Sequence, residues 1–300
     1  MALTLWRITD GKAGHDSQTI GLCKAIEKRK DAEYFDIKAE PACTSIKNFL
    51  LNQFPIGNNL PEPDLIIGAG HGSHLTILSA KRARGGKTIV LMKPSLPFSL
   101  FDLCIVPEHD QVNNKKNVIS TKGAINPVQF NDKKSDGTGL ILIGGPSKHY
   151  DWDDKSIYAQ VKTIIEEMPD VHWSIANSPR TPEKTLSLLS ELSNTEILDY
   201  KKTDSHKLHK TIFKSANIWI SEDSVSMIYE SLSSGATVGL LNVVQKENNR
   251  ISDSIKNLIN EKQLTPFSQW QISHHLLPSS NKFNEAERCA ALLLERGFLD

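Results

Sequence analysis

The sequence predicts an α/β protein made of two Rossmann-like domains facing each other across a cleft, and three observations carry that prediction. Short β-branched apolar runs alternate with helix-period segments almost throughout, the pattern of parallel sheets covered by helices on both faces. The pattern breaks once, at the polar, glycine-containing stretch 131–139, and then restarts. The chain has 300 residues, 39% of them hydrophobic and 23% charged, enough for two cores of about 130 to 150 residues each.

In order, the front half offers strands at 3–8, 34–37, 65–68, 88–92 and 103–106, with helices at 15–29, 44–52 and 73–84 between them. The back half offers strands at 140–143, 171–175, 195–198, 218–221 and 237–241, with helices near 155–168, 182–192, 206–215 and 224–234. This gives a front domain over 1–134 and a back domain over 138–282. A last helix at 284–296, within 283–300, is free to pack across either domain. In two such sheets ligands belong at the carboxyl ends of the strands.

Composition excludes several classes. No stretch approaches the roughly 18 to 20 uncharged apolar residues needed to span a bilayer, and the amino terminus runs into a charged loop by Asp10, so neither signal peptide nor membrane anchor is expected. Cys23, Cys43, Cys104 and Cys289 lie far apart with no Cys-x-x-Cys pair, which reads as structural thiols in a reducing cytoplasm. Residues 1–135 carry 18 Lys and Arg against 13 Asp and Glu, a net +5, and the remainder 17 against 22, a net −5. A basic front half suits an anionic acceptor or a phospholipid surface; solvated helix faces explain it equally well. No nucleic-acid partner is expected.

Each half opens with a strand that runs into a glycine-rich turn and a helix. In the back half the turn is Gly144-Gly145-Pro146-Ser147-Lys148-His149, where backbone N–H groups can approach a diphosphate and Ser147, Lys148 and His149 add donors. The spacing is not that of a P-loop, so a kinase or NTPase is a poor fit. A tight turn without a ligand remains the alternative.

The segment from Ser221 to Glu230 leaves a strand and enters a helix. Glu222 and Glu230 stand eight apart, one before the helix and one about two turns inside it. Glu183/Glu191 and Glu287/Glu295 repeat that spacing, so spacing alone is weak. Position after a strand, with hydroxyls at a helix amino terminus, is what singles this pair out. Helix capping would explain Asp223 and Ser224, though not Ser226 and Glu230.

In the front half, residues 10–18 gather Asp10, Lys12, Gly14, His15, Asp16 and Gln18. Asp16 or His15, each tuned by burial beside the other, can serve as the general base that activates an acceptor hydroxyl. A helix cap with an exposed histidine is the alternative. A second loop, Gly68-Ala69-Gly70-His71-Gly72-Ser73-His74, approximates Gly-x-Gly-x-x-Gly with Ser73 in the last glycine's place. The next strand ends in Lys93-Pro94 rather than in an acidic residue, which argues against an NAD enzyme. Pro107-Glu108-His109-Asp110 closes the rim.

His71/His74, His109/Asp110 and His274/His275 are only partial ligand sets. With no His-Glu-x-x-His and no Asp-x-Asp, neither metal nor cofactor is expected. Loop dipoles and Lys148 would stabilise a leaving diphosphate.

At these residues the chain resembles the mitochondrial-fission ELM1-like family. The matching blocks are residues 9–15, 63–70, 143–150, 178–182 and 222–227. The resemblance implies a GT-B-like fold with a donor nucleotide-sugar in the back domain and an acceptor at the front domain. It makes Ser147, Arg180, Ser224, Ser226 and Glu230 donor contacts, with Gly144, Gly145, Lys148 and Met227 beside them. On the acceptor side stand Asp10, Lys12, Gly14, Gln18, Gly70, His71, Ser73 and His109; Asp16, His15 and Glu222 are the catalytic candidates. Here His71-Gly72 follows Gly-Ala-Gly where arginines are common in the family, and Lys93-Pro94-Ser95 replaces an Asp-Pro-Arg-like strand end. Both departures fall on the acceptor side.

The function expected is transfer of a sugar from a nucleotide-activated donor to a lipopolysaccharide-type or lipid-linked acceptor, without metal, by a cytoplasmic protein in peripheral contact with an anionic membrane. A nucleotide-sugar 2-epimerase and a non-catalytic recruiting scaffold, as in plant mitochondrial fission, are the alternatives.

Overall fold

The computed structural model describes residues 2–112, 115–247, 250–278 and 283–300. The chain divides into two compact units, Met1–Pro127 with Asn284–Asp300, and Val128–Phe283. The front unit's sheet contains β1 (Leu3–Thr9), β2 (Ala32–Lys38), β3 (Leu65–Ala69), β4 (Lys87–Leu91), β5 (Leu103–Pro107) and β6 (Val118–Thr121). All pair in parallel, in the order β2-β1-β3-β4-β5-β6. Its helices are α1 (Ala13–Glu27), α2 (Ala42–Leu50) and α3 (His74–Arg84). Every residue of β3 is buried, as a central parallel strand covered on both faces requires. Each fully buried Leu or Ile there contributes about 1.5–3 kcal/mol of transfer free energy.

The back unit's sheet contains β7 (Ser135–Ile143), β8 (His172–Asn177), β9 (Thr195–Leu198), β10 (Ser215–Ser221), β11 (Thr237–Leu241) and β12 (Thr265–Pro266). Its order is β12-β11-β10-β7-β8-β9, again parallel. Its helices are α4 (Asp154–Glu167), α5 (Glu183–Ser190), α6 (Ser205–Lys214), α7 (Val225–Ser233), α8 (Arg250–Asn260) and α9 (Phe267–Ser273). Strand order reverses between β1 and β3 in the front unit and between β7 and β10 in the back unit, and it is outside the strand ends at such points that α/β sheets bind ligands.

The α/β class with two Rossmann-like sheets is as the sequence predicts, and four elements went unread. β6 and β12 are short edge strands, four and two residues long, below the length at which alternation is legible. α8 buries Ile255 and Leu258, and α9 buries Phe267 and Trp270; in α8 the signal was present, with Ile251, Ile255, Leu258 and Ile259 at helical spacing. β7 begins at Ser135, inside the polar stretch expected to link the halves, because exposed Ser135 pairs with Ser215 across an irregular register. The units divide at Pro127/Val128, ahead of that stretch; Lys282, the expected end of the back domain, lies outside the described residues.

The last helix, α10 (Glu285–Glu295), belongs to the front unit. Cys289, Ala290 and Leu293 join Leu22, Cys23 and Ile26 of α1 in one core, and Lys28 pairs with Glu287 at 2.8 Å.

Candidate functional site

At the back unit's switch point, β7 delivers Gly144 and Gly145, β8 delivers 178–181, and β10 delivers 222–224 into α7. The Gly144 N–H donates to the Ser221 hydroxyl (2.8 Å), and the Gly145 N–H donates to Asp223 Oδ2 (3.0 Å). Arg180 meets the same Asp223 oxygen at 2.6 Å, and donates to the Gly145 carbonyl (2.8 Å) and the Ser224 hydroxyl (3.2 Å). A Cβ on Gly144 would sit 2.2 Å from Asp223, and one on Gly145 would sit 2.1 Å from the Arg180 carbonyl. The glycines therefore let three loops close on one another. The two amides that the sequence left for a diphosphate are taken up by Ser221 and by the enclosed Asp223 carboxylate.

What remains open there is the rim. Arg180 keeps 40% of its side chain exposed, and Ser226 and Lys148 are exposed. The Ser147 hydroxyl accepts from the amides of His149 and Tyr150, both at 3.2 Å, so it shapes its own turn. Met227 is half-buried against the β10–β11 core. Burial raises Glu230 to about 7. Burial likewise raises Glu222, with the Val243 amide restraining it and the Asp223 charge adding to the rise, to about 7. Carboxyls so placed exchange protons near neutrality, which ordinary ones do not. Burial, with the Glu222 and Asp223 charges, lifts the Tyr150 hydroxyl to about 12.

At the front unit's switch point, His15 Nδ1 lies 2.9 Å from Asp10 Oδ2, and Asp10 Oδ1 accepts the Lys12 N–H at 3.2 Å. Burial pushes Asp10 upward, but the His15 and Lys12 hydrogen bonds and charges outweigh it and leave the carboxyl below its ordinary value. Gly70, at φ +72°, lies against the His15 ring, where a Cβ would come within 2.2 Å. The histidine's carboxylate partner is thus Asp10 and not Asp16, as the sequence suggested. Asp16 Oδ1 faces Arg7 at 3.9 Å, and Arg7 is itself held on Asp36.

Ser73 is buried and donates to the Ala69 and Gly70 carbonyls (3.2 and 2.9 Å), so it supports the turn. Gly14 is exposed and Gln18 half-buried on α1. A cavity of about 680 Å³ opens at the ends of β1 and β2, lined by Asp10, Lys12, Lys38, Glu40, Ile56 and His71 among others. His109 lies apart from that lining, 4.0 Å from Asp110.

The partial metal pairs acquire no third ligand: among the described residues no group of three or more His, Cys, Asp or Glu could hold an ion. His74 is buried beside Ser95 (3.2 Å), and burial, with the His71 charge, lowers it to about 4. His274 faces Glu167 at 3.5 Å and packs on Trp270.

Sequence reasoning missed one feature. A cavity of about 790 Å³ lies at the carboxyl ends of β8 and β9, lined by Asn177, Thr181, Asp199, Tyr200 and Lys201 among others. Asn177 Oδ1 accepts the Tyr200 amide at 2.7 Å. The signal was present: Asn177 and Asp199-Tyr200 each stand at a strand end, where ligands belong. No helix among the described residues is long and apolar enough to cross a membrane.

The family described as Mitochondrial fission ELM1 matches residues 13–297, and the chain belongs to it. An uncharacterised protein of Rickettsia prowazekii (strain Madrid E), RP120, is 22% identical over 97% of this chain and 98% of its own length. Among solved structures, a UDP-N-acetylglucosamine 2-epimerase superposes with a TM-score of 0.61 at 12% identity, over 99% of this chain and 96% of that one. The glycotransferase of kitacinnamycin superposes with a TM-score of 0.52 at 13% identity, over the whole of both chains. At these identities the likeness is one of fold, the GT-B-like class of two Rossmann-like units in one chain.

Proposed function

We propose that this member of the Mitochondrial fission ELM1 family is an enzyme that uses a nucleotide-sugar donor and transfers its sugar to a cell-envelope acceptor, lipid-linked or of lipopolysaccharide type, at the cytoplasmic face of a membrane. One observation carries the reading: at the β7/β10 switch point an exposed arginine, Arg180, stands at the amino end of α7 beside Ser224, with Glu230 two turns along the same helix. Arg180 and the helix amino terminus suit the donor's diphosphate. Glu230, largely buried and without an ion-pair partner among the described residues, suits sugar or ribose hydroxyls. Lys148 and Ser226 add donors at the rim.

On the front unit, Asp10 engages His15 at Nδ1 and leaves Nε2 to take the acceptor hydroxyl's proton. As that oxygen bonds to the sugar's anomeric carbon, the bond from the carbon to the diphosphate breaks and the nucleoside diphosphate leaves. Asp16, held toward Arg7, fits the base role less well. No step calls for a metal.

A second reading, nucleotide-sugar 2-epimerase, draws on two carboxyls near 7, Glu222 and Glu230, and on a fold neighbour of that name. Donor incubated alone separates the two: a new nucleotide-sugar favours the epimerase, an unchanged donor the transferase. The prior test is a thermal-shift screen against UDP, GDP, CDP, CMP, ADP and TDP. A saturable rise with one of them, weakened at least about tenfold in affinity by Glu230→Ala, is expected. No rise with any would favour a recruiting scaffold.

A further inference from the structure

Helix α2 is built inside out. Its buried residues are polar: the Ser45 hydroxyl meets Thr76 at 3.0 Å, and the Asn48 amide donates to the Glu40 carboxylate at 3.2 and 3.1 Å. Its aliphatic residues face outward, with Ile46 49% and Leu50 70% exposed, followed by Leu51 at 59% and Ile56 at 46%, while Phe49 is half-buried. These are four of the ten exposed large apolar side chains among the described residues. A surface helix normally turns that stripe inward, and a contiguous exposed patch of this kind marks an interaction site.

We propose that α2 docks the front unit on an anionic lipid bilayer, with Ile46, Leu50 and Leu51 entering the headgroup–acyl boundary. The charges around the patch select that occupant. From Pro41 to Pro61 the chain has no acidic residue and one cation, Lys47. The flanking acids are engaged, Glu40 with Asn48 and Glu62 with Arg84. Exposed Lys38 and Arg82 have no carboxylate partner among the described residues, and Arg82 lies over the Phe49 ring, 4.7 Å from its centroid. An apolar face rimmed by cations matches an anionic lipid surface. A second copy of this chain would bring the same cations face to face.

The patch also runs into the front cavity, since Pro41 and Ile56 line it together with Lys12, Lys38 and His71. Docking through α2 therefore sets the mouth of that cavity against the headgroups, where an anionic lipid-linked acceptor would reach it. The inference refines the membrane location proposed above but rests on α2 alone.

The test uses the full chain and vesicles of mixed phosphatidylglycerol and phosphatidylcholine, against phosphatidylcholine alone. Cys43 shares the face of Ile46 and Leu50 and is the one exposed cysteine of the four, so an environment-sensitive fluorophore attached there reads insertion directly. We expect co-sedimentation with the anionic vesicles only, and a blue shift of the Cys43 fluorophore on them. We expect at least a tenfold loss of binding in Ile46→Asp/Leu50→Asp and a smaller loss in Lys47→Glu. Both variants should keep the wild-type melting temperature and nucleotide-induced shift, which separates failure of docking from failure of the donor reading. Binding that survives the double substitution, or a Cys43 fluorophore that stays in water, overturns the proposal. So does self-association that the double substitution abolishes, because a second copy would then cover the face.

Discussion

The two switch points use similar sequence material in opposite ways. In the back unit the glycine-rich turn is filled from within: Asp223 occupies the Gly145 amide and Arg180 together, and a Cβ on either glycine would strike neighbouring atoms near 2 Å. In the front unit the glycine-rich turn supports a histidine–carboxylate pair whose carboxylate, Asp10, lines an open cavity. A strand followed by glycines specifies close approach. Whether the approaching group is a ligand or the protein's own carboxylate depends on what the next loop supplies.

Removing each acid should break this comparison most sharply. Asp223→Ala leaves the buried Gly145 amide without its partner and half-exposed Arg180 without its counter-charge, which should cost about 1–3 kcal/mol. Urea unfolding followed by tryptophan fluorescence should show it in the back unit, which holds Trp152, Trp173, Trp219 and Trp270. Asp10→Asn should instead cost only about 1 kcal/mol in stability, while turnover of donor with acceptor falls about a hundredfold through loss of an oriented base. If Asp10→Asn unfolds the front unit and Asp223→Ala leaves the back unit stable, the contrast is reversed.

Gly70→Ala comes next. The new methyl would press on the His15 ring, which can move, at a φ that side chains rarely adopt, so about 1–2 kcal/mol is expected. The His15–Asp10 hydrogen bond should loosen with it, visible as a displacement of the His15 ring resonances by NMR. Gly145→Ala meets the Arg180 backbone first, at 2.1 Å from its carbonyl oxygen, and should cost more.

Much of this was legible in the sequence, for identifiable reasons. Alternating apolar runs gave most of the strands, since parallel strands buried on both faces leave little choice of residue. The loop segments 10–18, 144–149 and 222–230 were found because strand ends in α/β sheets carry chemistry. Partnership was not legible: nothing in the order Asp10, His15, Asp16 says that the histidine turns back to Asp10, because the choice depends on Arg7, itself held on Asp36, standing on the other side of Asp16. Nor could periodicity reveal that α2 buries Ser45 and Asn48, since the polar seam exists only once Glu40 and Thr76 are brought beside it.

The smallest effects should separate the units by pH. Burial raises Glu222 and Glu230 to about 7, so between roughly pH 4.5 and 7 the folded back unit binds more protons than the unfolded chain. Its stability is greatest below that window and falls as pH rises through it. His74, lowered to about 4, acts in the other sense: the unfolded front unit binds the extra proton between about 6.5 and 4, so stability is present above that window and lost as pH falls. Glu230→Gln removes one titration and should flatten the back unit's decline. Its urea midpoint should then exceed wild type at pH 8, with little difference at pH 4.5. A midpoint difference that is the same at both pH values would mean that the carboxyl's proton is not what burial controls, and that any gain comes from packing of the amide alone.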